Sequence, residues 1–251
     1  MSTRGKHRDG AIAIAVIRCL SAIRRNVQAC VLVRLSRCLW PLALASVAGC
    51  TTLSSSFVDT MKLVANSHFS KAPTLEQVNA NPYAQLEVQT AQEGQVVLVL
   101  GNVDGTREVW YGNPHVAVFT EHGRVVQTVG FNHDLDGLHA PADDPFVRGL
   151  QMLAVPTDYI RTEDWAPGYR YGVIVNARLV PAGRTQITIL GVPHTVLRVD
   201  EELSAPAAGY RATNHYWVDP GNGFVWKSEQ HVSPELTLTL TVLRPYRGSQ
   251  P

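Results

Sequence analysis

The stretch ELTLTLTVLRPY, residues 235–246, alternates apolar and polar side chains with a period of two. Successive side chains on a β-strand point to opposite faces, so Leu236, Leu238 and Leu240 share one face and the intervening threonines share the other. This alternation is typical of an antiparallel strand with one face on a core and the other in water. The stretch therefore predicts a fold built from half-buried antiparallel strands.

Similar β-rich runs occupy much of the chain from residue 83 onward. Turn residues stand between them, notably Asp104-Gly105, His122-Gly123, Gly191 and Asn222-Gly223. The predicted strands are 83–90, 95–103, 106–112, 115–120, 124–131, 170–180, 184–190, 194–202, 210–218, 224–231 and 236–244. Because consecutive strands tend to pair, we expect an antiparallel meander of about ten strands that curls into a sandwich or an open barrel. The predicted fold class is mainly all-β.

Helical signals are few. The apolar spacing of Ser54–Phe69 predicts a short N-terminal helix, and Thr74–Val78 predicts one further turn of helix. The region 132–168 is rich in Asp, Pro and Gly, so we expect loops there and one helix near Pro145–Leu153.

The stretch WPLALASVAGCTTLSSS, residues 40–56, has the features of a signal peptide that ends at a cysteine. Arg34 and Arg37 form a positive region, and the apolar run Cys38–Val47 is too short to span a bilayer. Val47-Ala48-Gly49-Cys50 resembles the bacterial lipobox, in which the cysteine is acylated and becomes the first mature residue. We expect a leader and lipoprotein signal peptide at 1–49 and one mature β-rich domain at 50–251. The alternative is an ordinary signal peptide with a chance cysteine.

Cleavage before Cys50 would change both the cysteine content and the charge. The other three cysteines, Cys19, Cys30 and Cys38, lie in the predicted leader, so no disulfide or thiolate metal site is expected in the mature chain. Residues 1–49 carry eight of the 22 Lys and Arg residues but one of the 21 Asp and Glu residues, which leaves the mature chain a net charge of about −6. That sign argues against nucleic acid as a partner.

Several stretches resemble the group 4 capsule polysaccharide lipoprotein family (YjbF/GfcB-like). They are NPYAQLEVQ (81–89), VLVLGNVDGTREVWYG (97–112), GRVVQTVGF (123–131), DYIRTEDWAPGYRYG (158–172) and NHYWVDPGNGFVWKSEQHVSPELTLTLTVLRPY (214–246). The last is the most specific, although His215 stands where the family commonly has arginine. The resemblance implies an outer-membrane lipoprotein, mostly antiparallel β, that helps to make or export capsule or exopolysaccharide. It supplies no catalytic residues.

The hairpin 210–231 offers a candidate glycan contact. With the turn at Asp219–Gly223, we expect Tyr216 to oppose Trp226 and Val218 to oppose Phe224. Trp217, Val225, His215 and Lys227 then share the other face. A tryptophan beside polar side chains can stack on a sugar ring, so Trp217, His215 and Lys227 form the predicted contact; ordinary hairpin packing is the alternative. Trp110 and Trp165 are predicted to be core residues.

The sequence gives weaker evidence for other kinds of site. Asn132, Asp134, Asp136 and Asp143 only loosely resemble a calcium loop, and turn formation explains them better. The histidines after Cys50 show no pair at zinc-binding spacing, so no metal site is predicted. Asp200-Glu201-Glu202 is expected to be a solvated strand end, because adjacent carboxylates on a strand face opposite ways.

The sequence thus predicts a non-catalytic outer-membrane lipoprotein facing the periplasm, with no cofactor. Its expected partners are the membrane, through acyl chains such as palmitate on Cys50, polysaccharide secretion components and the polysaccharide itself. The alternatives are a lipoprotein of envelope assembly unrelated to capsule and a glycan-modifying enzyme.

Overall fold

The computed structural model describes residues 72–91, 94–112, 115–166, 168–246 and 248. The predicted leader, Cys50 and the predicted helix Ser54–Phe69 lie outside these residues. The described helices are α1 (Leu75–Ala80) and α2 (Pro145–Arg148), with 3₁₀ turns at Leu150–Met152 and Pro206–Ala208. The strands are β1 (Gln85–Thr90), β2 (Gly94–Asp104), β3 (Arg107–Tyr111), β4 (Ala117–Glu121), β5 (Arg124–Val129), β6 (Leu135–His139), β7 (Thr157–Trp165), β8 (Arg170–Ile189), β9 (Val192–Ala205), β10 (Tyr210–Val218), β11 (Val225–Ser233) and β12 (Leu236–Arg244).

The twelve strands form one antiparallel sheet in the order β5-β4-β3-β2-β1-β12-β11-β10-β9-β8-β7-β6. The sheet curls until its two edge strands meet, which makes a nearly closed barrel and confirms the mainly all-β prediction. At the junction Thr128 of β5 donates to Asp134 at 2.7 Å and accepts from the Leu135 amide at 2.9 Å. A sheet of this width curls because each strand is twisted relative to the next.

The predicted alternation on β12 is present. Leu236, Leu238 and Leu240 are buried, whereas the threonines between them are partly exposed. The barrel interior therefore carries the core, and the outer face carries the polar side chains. Trp110 and Trp165 are also buried, as predicted, at 2% and 1% exposure.

α1 begins where the sequence predicts a short helix. Thr74 caps it, since the Thr74 hydroxyl accepts from the Gln77 amide and the Gln77 side chain accepts from the Thr74 amide. Among the described residues, no helix has the length and apolar character needed to cross a bilayer.

The prediction for residues 132–168 was incomplete. The predicted helix is present as α2 and the following 3₁₀ turn, but the region also contains β6 and β7. β7 was missed because its inward positions carry polar side chains, Arg161 and Glu163, so its apolar alternation is broken. Farther along, the predicted strands 170–180 and 184–190 are one strand, β8, with an irregularity between Pro181 and Arg184.

The connection from β6 to β7 folds inward and occupies part of the barrel interior. Side chains alone fill a barrel of about eight strands, so a wider one needs additional material. Here Phe146 and Leu150 enter the interior, at 1% and 3% exposure. Asp144 caps α2 and pairs with Arg124 at 2.5 Å, and this attaches the segment to β5. We call residues 144–153 the plug.

Candidate functional site

The hairpin formed by β10 and β11 has a different register from the predicted one. Tyr216 opposes Ser228, Trp217 opposes Lys227, and Val218 opposes Val225, with an irregularity between the last two pairs. The predicted Tyr216–Trp226 and Val218–Phe224 pairs are therefore wrong. Val225 is buried like Val218 and does not share a face with Trp217. The register shifts twice: Asp219, rather than Val218, pairs with Phe224 beside the turn, and β11 then contains an extra residue, a β-bulge, which an ideal hairpin register cannot anticipate.

Trp217, His215 and Lys227 nevertheless lie together on the outer face of the sheet. The Lys227 ammonium lies 5.1 Å from the centre of the Trp217 ring, and the His215 ring centre lies 6.2 Å away. Arg198 of β9, which the sequence did not identify, places its guanidinium 5.9 Å from the same ring. Trp217 is partly exposed and is flanked by a cation on each neighbouring strand.

His215 is held in place by two neighbours on β9. Its Nδ1 lies 2.8 Å from Asp200 Oδ1 and 3.1 Å from Arg198 Nη2. Partial burial opposes ionisation of Asp200, but hydrogen bonds from Arg198 and His215 outweigh it and hold the Asp200 pKa below its ordinary value. We call this group the outer aromatic strip; its members are Arg198, Asp200, His215, Trp217 and Lys227.

A second aromatic group adjoins the β10–β11 turn. The Trp226 ring centre lies 4.3 Å from His194 and 4.8 Å from Phe224. Trp226 Nε1 donates to Asp219 at 3.4 Å. Trp226 thus contacts the β10–β11 turn and the β8–β9 hairpin, and it does not pair with Tyr216.

The barrel interior contains ionised groups that the sequence did not reveal. Glu201 is fully buried, so the prediction that Asp200-Glu201-Glu202 is a solvated strand end is wrong for this residue. Arg161 pairs with Glu201 and also with Glu163, the latter at 2.8 Å. Tyr159 donates to Glu201, as do Tyr216 at 3.0 Å and Asn214 at 2.8 Å. We call this group the interior polar network; its members are Tyr159, Arg161, Glu163, Glu201, Asn214 and Tyr216.

Electrostatics keep the central groups of this network charged. Burial by itself would raise the Glu201 pKa, but the Arg161 charge and the hydrogen bonds outweigh it and hold the pKa below its ordinary value. Burial likewise disfavours charge on Arg161, yet Glu201 leads the effects that raise the Arg161 pKa. A carboxylate held as an anion in this way is poorly suited to donate a proton.

An open cavity of about 600 Å³ lies in the barrel between the plug and the strand walls. The β2–β3, β4–β5 and β10–β11 turns contribute to its rim through Thr106, His122 and Asn222. We call it the mouth cleft. Its lining includes Glu108, Trp110, Thr120, Gln151, Phe224 and Lys227 of the outer aromatic strip.

Two polar groups of the mouth cleft are unusual. Trp110 Nε1 donates to the Thr120 hydroxyl at 3.0 Å, and that hydroxyl donates to Glu108 at 3.1 Å. Burial raises the Glu108 pKa above its ordinary value, and these hydrogen bonds offset the effect only in part. The buried amide oxygen Oε1 of Gln151 has no hydrogen-bond partner among the described residues.

The loop that loosely resembles a calcium site is organised by its own backbone. Asp134 accepts from the amides of Gly130 and Phe131 at 2.9 and 3.2 Å. Within the described part of the chain, no group of three His, Cys, Asp or Glu side chains is placed to hold a metal ion.

The interior network could have been suspected from one feature of the sequence. Tyr159, Arg161, Glu163 and Trp165 alternate along one strand and are all buried. Charged and aromatic residues at every second position can mark the inward face of a strand, just as leucines at every second position do. The bonds with Glu201 and Asn214 join strands distant in sequence and could not have been found from local pattern.

Comparisons with known proteins agree with this architecture. The chain is 24% identical over 203 residues to "Uncharacterized lipoprotein GfcB" of Escherichia coli (strain K12), a match that covers 79% of this chain and 94% of that one. It is 25% identical over 171 residues to "Uncharacterized lipoprotein YjbF" of the same organism, covering 68% and 79% respectively. The crystal structure of the hypothetical lipoprotein YmcC from Escherichia coli (K12) has the same fold, with a TM-score of 0.68 at 20% identity over 78% of this chain and 99% of that one.

The family comparison covers most of the chain. Residues 58–243 match the family described as "Group 4 capsule polysaccharide lipoprotein gfcB, YjbF". The match spans all twelve strands except the last residue of β12. The chain therefore belongs to the group 4 capsule polysaccharide lipoprotein family.

Proposed function

We propose that this lipoprotein is anchored in the outer membrane through acyl chains on Cys50 and faces the periplasm. Residues 1–49 are removed, and residues 50–251 form the mature protein. It takes part in making or exporting capsule polysaccharide or exopolysaccharide by contacting the polymer, the secretion components or both, without catalysing a reaction on them.

The observation that carries the contact role is the outer aromatic strip. Trp217 is partly exposed on the outer face, with Lys227 and Arg198 within 6 Å on the neighbouring strands. Aromatic rings pack on the apolar faces of pyranoses, and flanking cations can bond their hydroxyl or acidic groups. A surface with both features fits a polysaccharide even though the mature chain is acidic as a whole.

The state of the carboxylates supports contact rather than hydrolysis. Glycoside hydrolysis generally uses two carboxyl groups on either side of the scissile bond. Glu163 and Glu201 are buried and both pair with Arg161. Glu108 is the only carboxylate among the described residues that line the mouth cleft.

A glycan-modifying enzyme is the second candidate function, and one observation favours it. The raised pKa of Glu108 is a property that a general acid needs. This alternative predicts that purified protein shortens or modifies the polymer and that Glu108→Gln abolishes the change.

Deletion of the gene tests the proposal. We expect surface and secreted polysaccharide to be lost while cytoplasmic precursors persist, and expression of the wild-type gene to restore secretion. Normal polysaccharide in the deletion strain would overturn the capsule role and favour a function in envelope assembly unrelated to capsule.

A further inference from the structure

We propose that the mouth cleft is a second carbohydrate site, which adjoins the outer aromatic strip at Lys227 and binds the terminal or side-branch sugars of a polysaccharide as a mono- or disaccharide unit. The inference rests on the proposed function, because it assumes that the partner is a glycan. It adds that part of the polymer enters the barrel.

The size and lining of the cleft fit a small polar ligand. Its volume of about 600 Å³ lies within the range of small-molecule sites, about 300–1,000 Å³. Phe224, which is partly exposed, supplies aromatic surface. Glu108, Thr120 and Gln151 supply polar groups on the same lining. Aromatic surface with a few fixed polar groups is what recognition of a sugar ring requires.

The polar groups specify a ligand that donates hydrogen bonds. Gln151 Oε1 is a buried acceptor to which none of the described residues donates, and such an atom is costly unless something donates to it. The Glu108 carboxylate is a second acceptor, made less stable as an anion by its burial. Sugar hydroxyls can donate to both groups while the ring packs against Phe224.

The cleft is closed at its inner end, and this closure determines which part of a polymer can enter. On β12 the lining ends at Leu240, and the next inward residue, Leu238, is fully buried. On β11 it ends at Ser228, and the next inward residue, Gln230, is 2% exposed. Beyond this layer lies the interior polar network. A continuous chain cannot thread through, so only a chain end or a side branch fits.

Val147 of the plug provides a way to block the cleft without disturbing the core. It lines the cleft and is 62% exposed, so a larger side chain there is tolerated. Val155 follows the plug, is 66% exposed and is not among the lining residues. Val147→Trp and Val155→Trp therefore form a matched pair that adds the same bulk inside and outside the site.

The test measures binding of short oligosaccharides, released from the strain's own polysaccharide by partial acid hydrolysis, to the purified protein by calorimetry. We expect Val147→Trp to abolish binding and Val155→Trp to leave it unchanged. Gln151→Ala should weaken binding by about tenfold, the effect expected when a hydrogen bond is lost. Melting curves of all three variants confirm that they fold.

The outcomes separate this inference from the proposed function. Equal binding by Val147→Trp and the wild type would overturn the cleft site, as would an equal loss of binding in Val147→Trp and Val155→Trp. Failure of every fragment to bind would also overturn it. In each case the capsule role would still be judged independently by the phenotype of the deletion strain.

Discussion

Gln230 and Val125 lie 105 positions apart, and a buried hydrogen bond of 2.9 Å joins the Val125 amide to Gln230 Oε1. The Gln230 side chain also donates to the Gly123 carbonyl at 3.0 Å. β5 is an edge strand of the sheet, so its backbone groups need partners from outside the ladder. A single glutamine on β11 provides one partner for β5 and a second for the turn that precedes it, across the barrel interior, and helps the edges to meet.

Replacement of Gln230 tests this closure. Gln230→Ala leaves a buried backbone amide without a partner, which costs about 1–3 kcal/mol. We expect the melting temperature to fall by roughly 2–4 °C per kcal/mol. Gln186→Ala removes the same side chain from an exposed strand position and should have little effect. Equal melting temperatures for the two variants would mean that Gln230 does not hold the edge.

The interior polar network predicts a defined dependence of stability on pH. The folded-state pKa of Glu201 lies below the ordinary value of 4.5, so its contribution to stability is complete above about pH 4.5. That contribution is lost as the pH falls below this value. Melting curves from pH 7 to pH 3 should therefore show a decline at the acidic end.

Glu201→Gln should lower stability at neutral pH and flatten the acidic decline. Removal of one partner of a buried ion pair costs about 3–5 kcal/mol. Glu202 is the matched control, since it is the next residue on β9 and is exposed. Glu202→Gln should melt like the wild type, and an acidic decline that is unchanged in Glu201→Gln would contradict the assignment.

Trp217→Ala distinguishes surface contact from core packing. Truncation of a core tryptophan costs about 3–5 kcal/mol, which is the loss expected for Trp165→Ala. Trp217 faces outward and contacts two cations, so its loss should cost about 1–2 kcal/mol. We expect secretion of polysaccharide to be impaired more than stability. A melting temperature as low as that of Trp165→Ala would show that Trp217 serves packing.

Cys50→Ala tests the anchor. The thiol is the proposed acylation site, and several acyl chains on one residue give a stable anchor where one chain does not. The variant should remain unprocessed or become soluble, as judged by membrane fractionation and fatty-acid labelling. Cys38→Ala, within the predicted apolar run, is the control and should be processed normally. Partition of Cys50→Ala with outer membranes after a high-salt wash would refute the lipobox interpretation.

Chelation tests the expectation that the fold needs no metal. Asp134 already accepts hydrogen bonds from its own loop, so EGTA should leave the melting temperature unchanged. A drop of several degrees that calcium restores would instead identify residues 132–143 as a metal site.

Local pattern was sufficient for most of the strands. Period-two alternation and turn residues located β10 and β12 to the residue and most other strands to within a few positions. At two hairpins the turn residues adopt the left-handed backbone that such tight turns need, His122 with Gly123 and Leu190 with Gly191. The same patterns placed Trp217, His215 and Lys227 near one another, because they depend only on one hairpin.

Tertiary structure alone decided what fills and closes the barrel. The alternation on β7 is local, but whether Arg161 and Glu163 face water or the interior depends on partners on distant strands. Glu201 is buried because Arg161, Tyr216 and Asn214 meet it there, while Glu202 beside it is exposed. The mouth cleft forms where the plug meets walls from opposite halves of the chain. The sequence by itself determined most of the strands and the pairing of consecutive ones, since these follow from neighbours along the chain. The pairing of β1 with β12 and the site geometry required contacts between distant segments, whose strength depends on burial that exists only once the barrel has closed.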